Sequence, residues 1–247
     1  DDAKHKTWTL KEGVVKINGY NPQPGDVKFK DLRPDGVINA GDNTVDNPGD
    51  RKIIGNDAAR YQFGISLGAS YKGWSLEVLL QGVGKRDYWL GGPAMFPFGG
   101  AGAGDAVFQA LYANQTDYWR AKSYDPSSSD YMVPVNPDSK LFRIYDQGNN
   151  VGSNTRVSDK YLQNAAYMRI KNITLAYTLP KEWVRRAFIQ DAKFYLSIEN
   201  LATFSSLPKG YDPEGTAPSS TANALSNGIS WGYPYYRTIS LGASITF

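Results

Sequence analysis

YQFGISLGASYKGWSLEVLLQGV, Tyr61 to Val83, is the stretch whose reading decides the fold. Its odd positions run Tyr61, Phe63, Ile65, Leu67, Ala69 and Tyr71, all apolar or aromatic, and between them stand Gln62, Gly64, Ser66, Gly68 and Ser70. After Lys72-Gly73 the alternation resumes, with Trp74, Leu76, Val78 and Leu80 on one face and Ser75, Glu77 and Gln81 on the other. Period-2 alternation marks a strand with two unlike faces, and a two-residue link between two such runs marks a tight hairpin. A hairpin of this kind fits the edge of a soluble sandwich. It also fits the wall of a membrane barrel, apolar toward lipid and small or polar toward a lumen.

Three more stretches repeat the pattern. In YMRIKNITLAYTLP, 167–180, Ile173, Leu175, Tyr177 and Leu179 oppose Asn172, Thr174, Ala176 and Thr178, and the phase slips between Ile170 and Ile173, which predicts a bulge. In 192–204, Ala192, Phe194, Leu196 and Ile198 share a face. The last stretch, YRTISLGASITF, alternates Ile239, Leu241, Ala243, Ile245 and Phe247 with Thr238, Ser240, Gly242, Ser244 and Thr246. A sixth, weaker strand is expected near Thr7–Ile17.

The connections separate the two readings. Lys72-Gly73 is a minimal turn, and KEWVRRAF within 181–191 has room for one or two helical turns. The links 84–166 and 205–234 are long. Soluble domains seldom carry structureless loops beyond about 12–15 residues, whereas outer-membrane barrels pair short periplasmic turns with long external loops. With the last strand running inward, both long loops fall outside and both short turns fall in the periplasm. Tyr61, Tyr71, Trp74, Tyr88, Trp89 and Tyr235 then lie near the membrane boundaries, as an aromatic girdle would. The expectation is an all-β chain, an antiparallel transmembrane β-barrel segment. Residues 1–60 form an extracellular loop region with an Asp-rich turn, and 61–247 carry the C-terminal barrel strands. Five or six strands cannot close a barrel when the smallest use about eight, and an open edge in lipid leaves backbone groups unpaired. The chain is therefore expected to be part of a larger barrel.

Bulk properties agree. The chain has 247 residues, no cysteine, a net charge of +3, 17 tyrosines and 13% aromatic residues. The charge is too balanced for a nucleic-acid protein. Mean hydropathy is −0.47, and no apolar run approaches the ~20 residues of a helical span. The start, DDAKHKTW, is neither a signal peptide nor an initiator context, and it reads as the middle of a longer chain. His5 is the only histidine, stranded in a polar leader, so no His-based catalytic centre is expected.

Read together, GDVKFKDLRPDGVINAGD (25–42), the 61–89 hairpin, YMRIKNITLAYTLPKEW (167–183), FYLSIENLATFSSLPKGYDPEG (194–215) and YPYYRTISLGASITF (233–247) resemble the C-terminal part of SusC/RagA-type TonB-dependent transporters of the Bacteroidota outer membrane. GYDPE after an ENL strand is the more specific element, and the 90–160 loop is not covered. The resemblance implies a plugged barrel of roughly 22 strands. It also implies an N-terminal plug with a TonB-contact segment, neither of them in these residues, and a SusD-like surface lipoprotein as lid. The function it implies is uptake of oligosaccharides or peptides, with this segment supplying barrel wall and outer loops, facing outer-membrane lipid and performing no covalent chemistry.

Several constellations bear on chemistry. DLRPDGVINAGD follows the EF-hand offsets: Asp31 at position 1, Asp35 at 5, Gly36 at the turn, Val37 supplying a backbone carbonyl, Asn39 at 9 and Asp42 at 12. Arg33 and Pro34 depart from the pattern, so the choice is between Ca2+ on Asp31, Asp35, Val37, Asn39 and Asp42, a turn held by side-chain-to-backbone bonds, and Arg33 pairing with the acids in place of the ion. Asp212 and Glu214 are close in sequence, but nothing in GYDPEG sets them at a glycosidase separation. GVGKRDYW lacks the spacing and Ser/Thr of a P-loop. GGAGAGD, 99–105, is loop material. Among the loop aromatics, Trp89, Tyr118, Trp119, Trp231 and Tyr233 are the candidates to meet substrate or lid, against the plainer reading that long loops need their own core. The alternative function is a soluble calcium-dependent carbohydrate-binding β-sandwich, which requires the apolar faces of all five strands to meet in one core. A barrel enzyme or passive porin is disfavoured by the lack of a catalytic cluster.

Overall fold

The computed structural model describes residues 12, 14–17, 20–89, 96, 113–144, 153–209, 211–215 and 235–247. Its strands are β1 (Lys16–Ile17), β2 (Val37–Ile38), β3 (Arg60–Tyr71), β4 (Trp74–Lys85), β5 (Asp87–Trp89), β6 (Leu162–Asn164), β7 (Tyr167–Thr178), β8 (Asp191–Ser205) and β9 (Thr238–Thr246). The chain sorts into two compact units that interleave in sequence. One gathers 1–54, 89–161 and 220–229, and the other gathers 55–88, 162–219 and 230–247.

The second unit is built on one five-stranded sheet, ordered β3-β4-β7-β8-β9, with every neighbouring pair antiparallel. It is an up-and-down meander. The pairing register lines the alternation into rows that cross the whole sheet. Leu67, Val78, Ile173, Ile198 and Ile239 form one row, and Ala69, Leu76, Leu175, Leu196 and Leu241 form the next. Tyr71, Trp74, Tyr177, Phe194 and Ala243 close that face beside the short turns. The opposite face carries rows such as Gly68, Glu77, Thr174, Ser197 and Ser240. Because side chains alternate with period 2, one register gathers most of the large apolar residues on one face, with Leu79 and Tyr195 on the other.

That apolar face is uncovered: Leu241 is 83% exposed, Ile239 64% and Leu67 55%. The sandwich alternative needs these residues in a common core, and they are not in one. In water such a face is an aggregation or docking liability. In hydrocarbon it is the expected outer wall.

Lys72 and Gly73 both take positive φ, 45° and 85°, the conformation a two-residue turn demands to match strand twist, and one in which glycine at the second position carries no steric cost. The slip in the third stretch is real. β4 pairs Leu79 with Asn172 and Leu80 with Ile170, so Lys171 is the extra residue of a bulge. On the β8 side the register also breaks between Ile170 and Asn172, where Asn200 adopts φ 51°. β5 pairs β6 and carries the β4–β7 ladder onward past the sheet. The link between β7 and β8 forms one α-helical turn, Lys181–Val184, followed by a 3-10 turn, Arg185–Ala187. The described helices include none long and apolar enough to cross a membrane.

All short links, Lys72-Gly73 and 179–190, leave one end of the sheet, together with the end of β9, and the long links 86–166 and 206–237 leave the other. The outer edges of β3 and β9 have no strand partner among the described residues.

The first unit is a loop body. Val27, Phe96, Leu141, Phe142 and Tyr161 are buried together, with Phe29, Trp89 and Tyr118 packed against them. Phe96 is the hub, its ring centroid 4.8 Å from Tyr161, 5.8 Å from Phe142 and 5.9 Å from Trp89. The sixth strand expected near Thr7–Ile17 is, among the described residues, only β1. It pairs with β2 in parallel and does not join the antiparallel sheet.

Candidate functional site

On the polar side of the second unit, the turn at 211–215 folds onto the start of β7. Arg169 is 2% exposed. Its Nε donates to Thr203 Oγ1 at 2.7 Å, and its Nη2 donates to both carboxylate oxygens of Asp212, at 2.7 and 2.8 Å. Nη1 lies 3.1 Å from Glu214 Oε1 as an ion pair outside hydrogen-bond geometry. Lys171 Nζ donates to Glu214 Oε2 at 2.9 Å. Tyr235 covers both cations, its ring centroid 5.1 Å from Arg169 Cζ and 4.5 Å from Lys171 Nζ. The backbone N–H of Glu214 donates to Asp212 Oδ1, and that of Tyr235 donates to Asp212 Oδ2. Burial pushes the Asp212 carboxyl up, but the Glu214 N–H and the Arg169 guanidinium outweigh it and hold the group below its ordinary range.

Both carboxylates are thus ion-paired, Asp212 with Arg169 and Glu214 with Arg169 and Lys171. The pair ties the 211–215 turn to β7. Arg169 and Lys171 were not singled out in the sequence. The signal was present in two cations spaced i, i+2 where the alternation slips.

The loop aromatics fall into two groups. Trp119 is 7% exposed. Gly25 sits at φ +91° with its missing Cβ position 2.6 Å from the Trp119 ring, so the indole packs where a side chain would otherwise stand. Trp119 N–H donates to Leu141 O at 3.1 Å. Trp89 packs on Phe96, and Tyr118 packs on the same core with Arg120 Cζ 5.8 Å from its ring centroid. Burial pushes the Tyr161 hydroxyl well above its ordinary pKa. Trp231 and Tyr233 lie outside the described residues, as do Phe98, Phe108, Tyr112 and the Gly-rich 99–105 segment.

The Asp31–Asp42 loop closes on itself. Asp31 Oδ2 accepts from Gly36 N at 3.1 Å, Asp35 Oδ1 from Val37 N at 2.9 Å, Asn39 Oδ1 from Gly41 N at 2.7 Å, and Asp42 Oδ2 from Asn47 Nδ2 at 2.8 Å. Val37 O accepts from Asn39 Nδ2 at 3.3 Å. Arg33 donates to the Asn47 side chain and the Asp46 carbonyl, and not to the acids. Asp50 is the brace that the motif did not show. Oδ1 takes the N–H of Leu32 and Arg33, and Oδ2 takes that of Asn39. Partial burial raises its pKa, but these N–H groups outweigh it and lower the net value. Asp31 Oδ1 is buried without a hydrogen-bond partner. Among the described residues, no three acidic or histidine side chains converge to hold a metal ion.

No family model matches the chain. Two curated relatives from Formosa agariphila are similar along nearly its whole length. TonB-dependent receptor P3 is 26% identical over 241 residues, covering 96% of this chain and 20% of its own length. TonB-dependent receptor P26 is 24% identical over 244 residues, covering 98% and 22%. This chain therefore spans about a fifth of the curated relatives it matches. Among solved structures, one described as the RagAB peptide transporter covers 75% of this chain and 17% of its own, at 24% identity and TM-score 0.42. The RagAB peptide importer in the 'closed-closed' state gives 25% and 0.43. Overlays at such scores add nothing to the sequence relation. What the chain is similar to, along nearly its whole length, is TonB-dependent receptors. The resemblance to their SusC/RagA type, first carried by the hairpin, GYDPEG and the last strand, stands, because similarity to named TonB-dependent receptors runs the length of the chain.

Proposed function

We propose that this chain is a wall-and-loop segment of a TonB-dependent importer in the bacterial outer membrane, carrying oligosaccharides or peptides inward. The observation that supports it most is the five-stranded sheet with an uncovered apolar face, a small and polar opposite face, and every long link at one end. In this reading the apolar rows face outer-membrane lipid, the opposite rows line the lumen, and the free edges of β3 and β9 join further strands of the same barrel. The plug and the TonB-contacting segment belong to the part of the longer protein that this chain does not span. The loop body faces outward, toward substrate and a SusD-like surface lipoprotein, and nucleic acid has no part.

The segment contributes shape and contacts and no covalent chemistry, and its Asp212 and Glu214 carboxylates are ion-paired with Arg169 and Lys171. Trp89, Tyr118 and Trp119 serve first as the loop body's frame, and Trp231 and Tyr233 remain proposed substrate contacts. For Asp31–Asp42 one titration decides between ion and braced turn. A rise in Tm with Ca2+ that Asp42→Asn abolishes supports the ion, and an unchanged Tm supports the turn.

The reading is tested by purifying the native protein with and without detergent and measuring its intact mass. It predicts detergent dependence and a polypeptide several-fold longer than this chain. A 27.3 kDa soluble monomer in plain buffer would overturn it.

A further inference from the structure

The turn between β7 and β8 breaks local rules in a way the barrel wall does not require. Val184 is buried at 4%, and the turn is tied down by Ile189 N–H to Val184 O at 3.2 Å and Gln190 N–H to Thr246 O at 2.8 Å. It is therefore a fixed feature. Yet Trp183 is 63% exposed and Phe188 93%. Phe188 also sits at φ 58°, a left-handed conformation that a bulky residue rarely adopts, and this points its ring out. Beside them stand Lys181, Arg185 and Arg186, all exposed. Among the described residues none of the three has an ion-pair partner, and the turn itself holds one acid, Glu182. The neighbouring turn adds Lys72, whose Nζ lies 5.2 Å from the Tyr71 ring centroid. This end of the sheet also carries the aromatic row Tyr71, Trp74, Tyr177 and Phe194.

Aromatic rings belong at the headgroup level, and clustered cations there attract anionic lipid. Apolar rings projecting from a rigid turn, cations without an ion-pair partner among the described residues and direct continuity with the apolar face fit one occupant.

We propose that the turn 181–190 is an interfacial anchor for anionic phospholipid of the inner leaflet, with Trp183 and Phe188 at the acyl boundary and Lys181, Arg185 and Arg186 on the phosphates. The inference rests on the membrane-barrel reading.

The test uses the full-length barrel protein that carries this chain, in nanodiscs. Lipids brominated near the headgroup quench a nearby indole, and the difference between wild type and Trp183→Phe isolates Trp183. A Leu241→Trp variant reports the wall. The anchor predicts at least about twofold quenching of the Trp183 signal. It also predicts that Arg185→Gln/Arg186→Gln lowers retention of phosphatidylglycerol over phosphatidylcholine by about fivefold or more. Quenching at Leu241→Trp without quenching at Trp183 overturns the anchor and leaves the barrel standing. Quenching at neither overturns both. Retention unchanged by the double variant, or abolished by millimolar inorganic phosphate, overturns the lipid assignment.

Discussion

Arg169 shows at the scale of one residue how the loop is held to the wall. A guanidinium 2% exposed with no counter-charge would be intolerable, and Asp212 answers it bidentately. Removing one partner of such a pair costs about 3–5 kcal/mol, so Asp212→Asn should lower stability by that order. Lys171→Met, at a side chain 27% exposed, should cost about 1 kcal/mol or less. The pH dependence follows from the lowered Asp212 pKa. The unfolded chain protonates first, near the ordinary 3.8. The stabilisation is therefore full above that value and is lost as pH falls below it. Thermal melts of wild type and Asp212→Asn should differ by a constant at neutral pH and converge in acid. A gap that persists in acid would assign the effect to something other than this charge. Gly25→Ala should cost several kcal/mol of loop stability, because the new methyl would stand 2.6 Å from Trp119 at a φ of +91°. Wild-type melting of Gly25→Ala would show that Trp119 is not held there. Little of this was legible in sequence. Asp212 and Arg169 lie far apart in the chain, and the EF-hand frame drew attention to Asp42 when Asp50 carries the loop. Pairings across distant segments leave no periodic trace.

At the scale of the element the sequence was far more legible. Strand alternation is a local property, written in every second residue, and 61–71, 74–83, 192–204 and the last strand all appear where alternation placed them. The slip at Ile170–Ile173 appears as a bulge at Lys171. Of the strand expected near Thr7–Ile17 the described residues hold β1, whose partner, β2, belongs to the loop body and not to the sheet. The two faces make a direct prediction. Leu241→Arg should cost roughly 2–4 kcal/mol in a bilayer folding assay if it lies near the midplane, and Ser240→Arg well under half of that. Equal costs would remove the distinction between lipid face and lumen face.

At the scale of the molecule, edges and ends carry the argument. β3 and β9 each present an edge with no described strand beside it, and neither water nor lipid is a good place for a long open edge. The chain spans about a fifth of its curated relatives, so the missing strands have a natural source in the rest of such a protein. Which loop residues meet substrate was not legible, because a buried framework aromatic and a ligand-binding aromatic are the same residue type in the same kind of segment.

The central claim is that the sheet crosses a membrane with its long loops on one side. This chain has no cysteine, so single-cysteine variants of the full-length protein, with any cysteine elsewhere first replaced, test it with a membrane-impermeant maleimide. Ser127→Cys in the loop body should label on intact cells, Lys72→Cys should label only after the outer membrane is opened, and Leu241→Cys should resist labelling until detergent is added. Labelling of Lys72→Cys and Leu241→Cys on intact cells as readily as Ser127→Cys would contradict the account.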